Sequence, residues 1–450
     1  MTQLFGTDGI RGVANRHPMT PEMAVAIGKA AATFFKPDGK KNAAIIIGKD
    51  TRQSGDMLQA ALASGICAAG GSVYLTGTLP TPGVAFLTSS MPTDAGVVIS
   101  ASHNPYFDNG VKLFNSKGYK LSQAEEARLE KMIVQFQDGS RIASGKTVGT
   151  IQAINDAGHQ YSSFLKQCLN PSFSIEKTPL VIDCSNGATY KVAPKVFNDL
   201  GADITALFVK PDGKNINADC GSQHTETLEE KVLASGASAG LAFDGDGDRL
   251  IAVDEKGEKL TGDQLLAICA KDMQSQGILK NNLLVSTIMS NMGLGQALKK
   301  MGVEHLKTGV GDRLVMQEMV ASDAVIGGEE SGHTIFLNHH TTGDGLLTAL
   351  MLLEAIQRQQ QPLSELKKIM TVFPQKLIGV KVQSKPDLAS IAEVQAVIKN
   401  VEDKLKDHGR VLVRYSGTEP LCRVMVEGPT PDETEQCCQQ IADIISKTLS

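Results

Sequence analysis

No stretch of this chain stays apolar for the roughly 20 residues needed to cross a bilayer. The opening segment, Met1-Thr2-Gln3-Leu4-Phe5-Gly6, has no charged region followed by an apolar one, so no secretory signal is read from it. Basic charge is neither in excess nor clustered. The net charge is −5 over 450 residues, which leaves no electrostatic footprint for nucleic acid or a membrane surface. Cysteine is sparse: there are eight, none spaced as Cys-x-x-Cys, and the adjacent Cys437 and Cys438 fall in a helical pattern whose neighbouring side chains point apart. These absences predict a cytoplasmic protein with reduced thiols and no nucleic-acid or membrane partner. What is present is ordinary globular composition, 42% hydrophobic and 21% charged, in a chain long enough for about three domains.

Three stretches share one layout. Each begins with an apolar run (Ala44-Ile45-Ile46-Ile47, Leu180-Val181-Ile182, Leu283-Leu284-Val285), then a loop and a helical segment that stops near glycine (Gly70-Gly71, Gly201, Gly302). A second short strand follows at Val73-Tyr74-Leu75, Ile204-Thr205-Ala206 and Glu304-His305-Leu306, the pattern of a βαβ unit with parallel pairing. Each unit next reaches an apolar run that ends abruptly in a polar loop: Ser100 to Pro105, Asp244 to Arg249, and Gly327 to His333. An apolar strand, a turn and a helix with an N-terminal signal close the unit. Ser122 with Glu125 and Thr261 with Gln264 have capping-box spacing, and Thr342-Gly343-Asp344-Gly345-Leu346-Leu347 echoes Thr261-Gly262-Asp263-Gln264-Leu265-Leu266.

The expected fold is therefore α/β: three topologically similar mixed-sheet domains, 1–150, 151–253 and 254–370, each presenting a polar loop at a strand end, where open α/β sheets gather ligands. From about Thr371 the character changes. Leu377 to Val382, Arg410 to Tyr415 and Cys422 to Glu427 read as strands separated by helices, a smaller α+β domain over 371–450.

Chemistry concentrates in the loops. Asp244-Gly245-Asp246-Gly247-Asp248-Arg249 offers three carboxylates at alternate positions, a donor set suited to a hard divalent cation such as Mg²⁺. A calcium-binding EF-hand would want glycine where Arg249 stands and a helix where a strand follows. Without a cation the three carboxylates would repel one another. In Ser100-Ala101-Ser102-His103-Asn104-Pro105, Ser102 offers a nucleophilic hydroxyl, with His103 and Lys112 as candidate proton carriers and Asn104 and Asn109 as hydrogen-bonding groups. A hydroxyl beside a carboxylate-bound cation is what phosphoryl transfer requires. Arg414-Tyr415-Ser416-Gly417-Thr418-Glu419-Pro420 with Arg423 makes an anion cradle suited to phosphate. Glu329-Glu330-Ser331-Gly332-His333 can address several hydroxyls of a sugar.

With Phe5-Gly6-Thr7-Asp8-Gly9-Ile10-Arg11-Gly12-Val13-Ala14-Asn15, these segments stand in the order found in the α-D-phosphohexomutase superfamily, which the chain resembles over essentially its whole length. The resemblance implies four domains around one central cleft, three alike and a smaller one at the C-terminus. It implies that Ser102 is the phosphoserine, and that Asp244, Asp246 and Asp248, with an oxygen on Ser102, hold one Mg²⁺. Lys112 and His103 would move protons, and Arg11 and Arg249 would support the phosphoryl site. Glu329, Ser331 and His333 would read the sugar, and Arg414, Ser416, Gly417, Thr418 and Arg423 would hold the phosphate that is not reacting. The implied substrate is an amino-sugar phosphate, moved between its 6- and 1-phosphates through a hexose 1,6-bisphosphate to supply cell-wall sugar nucleotides; a homodimer is a possible assembly. Glucose or mannose phosphates are the alternative substrates. A metal-dependent phosphohydrolase and a non-catalytic sugar-phosphate sensor are the alternative classes.

Overall fold

Three times along the chain, a strand pairs in parallel with two others, and a fourth returns antiparallel. In the computed structural model, which describes residues 4–6, 8–39, 42–137, 147–416 and 420–449, Ala44–Lys49 lies parallel to Ser72–Thr78 and Ala95–Ile99, and Asp108–Asn115 returns against Ala95–Ile99. Pro179–Asp183 stands in the same way between Asp203–Leu207 and Ala239–Phe243, with Leu250–Asp254 returning. Leu283–Thr287 repeats this with Glu304–Thr308, Ile326–Gly328 and Thr334–Phe336. The central strands are covered on both faces, which is why they read as continuous apolar runs: Ile45, Ile46 and Ile47 are each wholly buried. Helices Gly55–Ala68, Val192–Asp199 and Met292–Met301 make the crossovers that parallel pairing demands.

The first sheet has two additional strands, Ile10–Val13 at one edge and Ile151–Ala153 at the other. Ile151–Ala153 pairs in parallel with Ser72–Thr78, so this sheet extends past the boundary expected at residue 150. The N-terminal signals of the helices also resolve. Ser122 and Glu125 exchange hydrogen bonds with each other's backbone N–H, and Thr261 and Gln264 do the same. In the third repeat the cap is Asp344 rather than Thr342, its carboxylate accepting from Leu347 N at 3.0 Å.

By packing, the chain forms two units, Met1–Ile288 with Glu304–Lys368, and Met289–Val303 with Ile369–Ser450. Helix Met292–Met301 thus belongs with the C-terminal module, although residue 370 was the expected boundary. The cause is polar: Asn291 exchanges hydrogen bonds with the backbone of Phe373, and Glu427 accepts from Met292 N at 2.9 Å. The module itself is an antiparallel sheet, ordered Gln375–Lys381, Leu421–Glu427, Arg410–Tyr415, and covered by helices Ala392–Leu405 and Pro431–Leu449. Cys437 and Cys438 are both buried in its core, and all eight cysteines are free thiols. Among the described residues no helix is long and apolar enough to cross a membrane.

Candidate active site

The serine loop and the aspartate loop, 142 residues apart, meet. Ser102 follows strand Ala95–Ile99, and Asp244 follows the equivalent strand Ala239–Phe243 of the second repeat. The Ser102 hydroxyl donates to Asp244 Oδ2 at 2.5 Å, and His103 Nδ1 lies 3.3 Å from Ser102 Oγ. Gly245 is where the loops touch: a Cβ there would stand 2.5 Å from the Ser102 carbonyl oxygen. Ser102 adopts a left-handed backbone (φ 52°), a conformation that a non-glycine residue keeps only when its surroundings over-determine it.

Asp244, Asp246 and Asp248 each present a ligand oxygen within 4.8 Å of the others, and all three are buried. Burial and the neighbouring carboxylates of Asp248 and Asp246 push Asp244 well above its ordinary pKa. Asp246 Oδ1 and Asp248 Oδ1 are buried and find no hydrogen-bond donor among the described residues. Crowded, acceptor-only oxygens with orphaned lone pairs fit a divalent cation such as Mg²⁺. Thr81, at the start of helix Thr81–Ser90, orients the set through Oγ1 to Asp246 Oδ2 at 2.6 Å.

Lys112 extends from strand Asp108–Asn115 into the same cluster. Its ammonium lies 2.8 Å from Asp246, 3.2 Å from Asp248 and 2.9 Å from Asp8. Burial alone would lower its pKa, but these three carboxylates outweigh burial and hold it well above the ordinary lysine value. His103 goes the other way: burial, Arg249 and Arg11 lower it to about 4, so its ring is neutral near pH 7. Arg11 pairs with Asp8 and reaches the Ala101 carbonyl at 3.4 Å. The backbone N–H of Arg249 donates to Asp244 Oδ1 at 3.1 Å, and its Nε stands 3.9 Å from Asp248 Oδ1.

The Glu329–His333 loop of the third repeat rests on the strand that follows the aspartate loop, Leu250 N donating to the Gly332 carbonyl at 3.1 Å. Glu329 Oε1 accepts from Gly311 N at 3.2 Å, and burial raises its carboxyl. Ser331 Oγ is buried and has no hydrogen-bond partner among the described residues. His333, expected among the sugar contacts, is only 3% exposed. Its ring stands 3.7 Å from Asp248 and 3.5 Å from Asp312 and accepts from Gly343 N, so it braces the aspartate loop. Asn109 is likewise spent internally, on Ser54 Oγ and Gly110 N, and Asn104 on Asp108.

In the C-terminal module, Arg414 and Arg423 face each other across paired strands, and Ser416 N is tied to the Leu421 carbonyl. Burial and Arg423 lower the Arg414 guanidinium. The register thus brings two positive charges side by side on one face of the sheet. Gly417 and Thr418 lie outside the described residues.

Sequence patterns did not single out Asp8, Lys120, Asp312 or Thr81 as site residues. Lys120 bonds Asp8 and Asp312, connecting the first and third repeats beside Lys112. Asp8 carried a signal, its place in Asp8-Gly9-Ile10-Arg11, but nothing local marks the other three.

The chain matches, in order, family models described as phosphoglucomutase/phosphomannomutase alpha/beta/alpha domain I (residues 2–138), domain II (159–257), domain III (261–373) and C-terminal domain (377–444). It is 55% identical over 449 residues to a phosphoglucosamine mutase of Syntrophus aciditrophicus (strain SB), covering 100% of both chains. It is 53% identical, with the same coverage, to that of Syntrophobacter fumaroxidans (strain DSM 10017 / MPOB). Among solved structures, a phosphoglucomutase/phosphomannomutase family protein from Burkholderia thailandensis superposes with TM-score 0.80 at 24% identity, covering 98% of this chain and 97% of that one. The N-acetylphosphoglucosamine mutase of Aspergillus fumigatus, in complex with GlcNAc-6P and magnesium, superposes with TM-score 0.70 at 18% identity, covering 99% and 96%. With three repeats of one topology, an aspartate triad at the serine loop and relatives more than half identical from end to end, the chain belongs to the phosphoglucomutase/phosphomannomutase family of the α-D-phosphohexomutases.

Proposed function

We propose that this chain interconverts glucosamine 6-phosphate and glucosamine 1-phosphate, the activity for which its full-length relatives are named, through a phosphorylated Ser102 and a glucosamine 1,6-bisphosphate intermediate. The observation that carries the reading is the Ser102 hydroxyl held 2.5 Å from Asp244 within a buried aspartate triad. Asp244, Asp246 and Asp248, with an oxygen on Ser102, would hold Mg²⁺, which supplies charge neutralisation on the phosphoryl oxygens.

The sugar O1 hydroxyl attacks phosphorus: the O1–P bond forms, the Oγ–P bond of phospho-Ser102 breaks, and the proton that O1 gives up is balanced by the one that the released Ser102 Oγ takes on. The bisphosphate turns, and Ser102 Oγ then takes the phosphoryl group from O6. Ser102 must lose its hydroxyl proton in that second half, and the neutral ring of His103, 3.3 Å from Oγ, is placed to accept it once the hydroxyl turns from Asp244, whose oxygen the cation would occupy. Lys112, held as an ammonium, is placed to donate a proton to the leaving oxygen and to balance charge. Arg11 and Arg249 steady the phosphoryl site, while Glu329 and Ser331 read sugar hydroxyls. Arg414, Ser416, Gly417, Thr418 and Arg423 would hold the distal phosphate, a role supported by the opposed guanidiniums of Arg414 and Arg423.

The test is ³¹P NMR of the protein with glucosamine 6-phosphate, Mg²⁺ and a trace of hexose 1,6-bisphosphate. A glucosamine 1-phosphate signal without matching free phosphate is expected, and Ser102→Ala should reduce the rate to background with an unchanged far-UV circular dichroism spectrum. Free phosphate released in step with substrate loss would make the protein a hydrolase. Faster turnover of glucose or mannose 6-phosphate would reassign the sugar.

A further inference from the structure

Arg52 is a long cation buried inside the protein. It is 1% exposed, in the turn between strand Ala44–Lys49 and helix Gly55–Ala68, and its Nε is anchored on Asp50 Oδ2 at 2.8 Å. The rest of the guanidinium is spent on one object, the backbone of the serine loop. Nη2 donates to the carbonyl oxygens of Ser102 and Asn104, each at 2.8 Å. Nη1 donates to the Asp108 carbonyl at 3.0 Å and also to the Pro105 carbonyl. Asp50 reaches the same loop by a second route: it accepts from Ser100 Oγ at 2.6 Å, and that hydroxyl in turn accepts from Ser102 N at 3.0 Å. From the second repeat, Asn217 Nδ2 donates to the Ser102 and Asn104 carbonyls at 2.9 and 3.1 Å.

A fixed planar fork of donors converging on four carbonyls is a device that only arginine provides. An isolated guanidinium is costly to bury, and an ordinary turn needs no such anchor. The object it secures is the left-handed Ser102, whose backbone must be restrained if Oγ is to stay beside Asp244.

We propose that Arg52 is a positioning residue for phosphoryl transfer, holding the 102–108 carbonyls with Asn217 as its counterpart, so that Ser102 Oγ stays aligned with the aspartate triad. The proposal rests on the mutase reading for its kinetic arm only. Arg52 touches neither substrate nor the reacting oxygen. A misplacement of about 1 Å costs on the order of 100-fold in rate when the reacting groups must align.

Arg52→Lys keeps the charge but supplies a single ammonium that cannot span four carbonyls. In this variant kcat should fall about 100-fold, with KM for the sugar phosphate within about threefold, the split expected when alignment is lost and binding is kept. Hydrogen–deuterium exchange should quicken at least about tenfold in peptides covering 101–108, with the flanking strands Ala44–Lys49 and Ala95–Ile99 as protected as in the wild type. Asn217→Gly, which retains the left-handed backbone at that position (φ 58°) and leaves the buried ion pair intact, should show the same pattern more weakly. A folded Arg52→Lys protein with wild-type kcat and wild-type loop exchange would overturn the proposal. So would a rate that falls only in proportion to the folded fraction. If Arg52→Lys does not fold, Asn217→Gly decides, and unchanged loop exchange and kcat there count against the proposal. Should the wild type turn over no hexose phosphate, the mutase reading fails, while the exchange contrast still tests the positioning role.

Discussion

His340 should be the residue that sets part of the acid limit of this fold. Its imidazole is buried, with Phe164 edge-on at 5.4 Å. Nδ1 accepts from Thr341 N at 2.8 Å, which leaves Nε2 to carry the proton and donate to the Pro82 carbonyl at 2.9 Å. Charging the ring therefore puts an additional proton on a nitrogen that faces a donor, in a buried site. Burial lowers the pKa from 6.5 to about 4, the bond to Pro82 opposing it only in part. Folding thus favours the neutral ring. The stabilisation is complete above pH 6.5 and drains away as pH falls toward 4. At about 1.4 kcal/mol per pH unit, that displacement amounts to about 3 kcal/mol. Long-range ¹H–¹⁵N spectra of the imidazoles, with the His340 signal assigned by its loss in His340→Gln, should show a ring that stays neutral, proton on Nε2, from pH 8 down to about 5. Denaturant unfolding should show the variant losing less stability than the wild type between pH 7 and 4, by up to about 3 kcal/mol. A titration midpoint between 6 and 7 would refute the reasoning, as would parallel pH dependences for the two proteins.

Helices Pro21–Phe34 and Gly55–Ala68 pack backbone to backbone, and a Cβ at Gly65 would lie 2.2 Å from the Val25 carbonyl oxygen. Gly65→Ala should cost about 1–3 kcal/mol in denaturant unfolding, and an unchanged midpoint would show that the helices can part at little cost. Thr81→Val removes the hydroxyl that orients Asp246, so the Mg²⁺ concentration for half-maximal activity should rise about 10–100-fold, with activity restored at saturating Mg²⁺. Equal Mg²⁺ dependence in the two proteins would remove Thr81 from the metal site's support.

Sequence patterns were strongest where periodicity and local chemistry coincide. The runs Ala44 to Ile47, Leu180 to Ile182 and Leu283 to Val285 each became the central strand of a sheet, because a strand covered on both faces must be apolar throughout. The aspartate triad was equally legible, since alternate carboxylates in a glycine-bearing loop already hold most of the geometry of a cation site. The patterns were weakest at edges and partners. Ile151–Ala153 is three exposed residues, and only its pairing with Ser72–Thr78 makes it a strand. His333 was expected at the sugar because it stands beside Glu329 and Ser331, yet the hairpin turns its ring inward onto Asp248 and Asp312.

The chain alone determined the three repeated units, the capped helices, and the loops carrying Ser102 and the aspartates, because each depends on residues within a few positions of one another. Tertiary structure decided which side chains answer each other across those units. Arg52 closing on four carbonyls of the serine loop, Thr81 on Asp246, Lys120 between Asp8 and Asp312, and Lys112 among three carboxylates are contacts made over 50 to 192 residues of chain. Periodicity and spacing report on near neighbours, and the charge balance of a buried site is set by groups that only folding brings together.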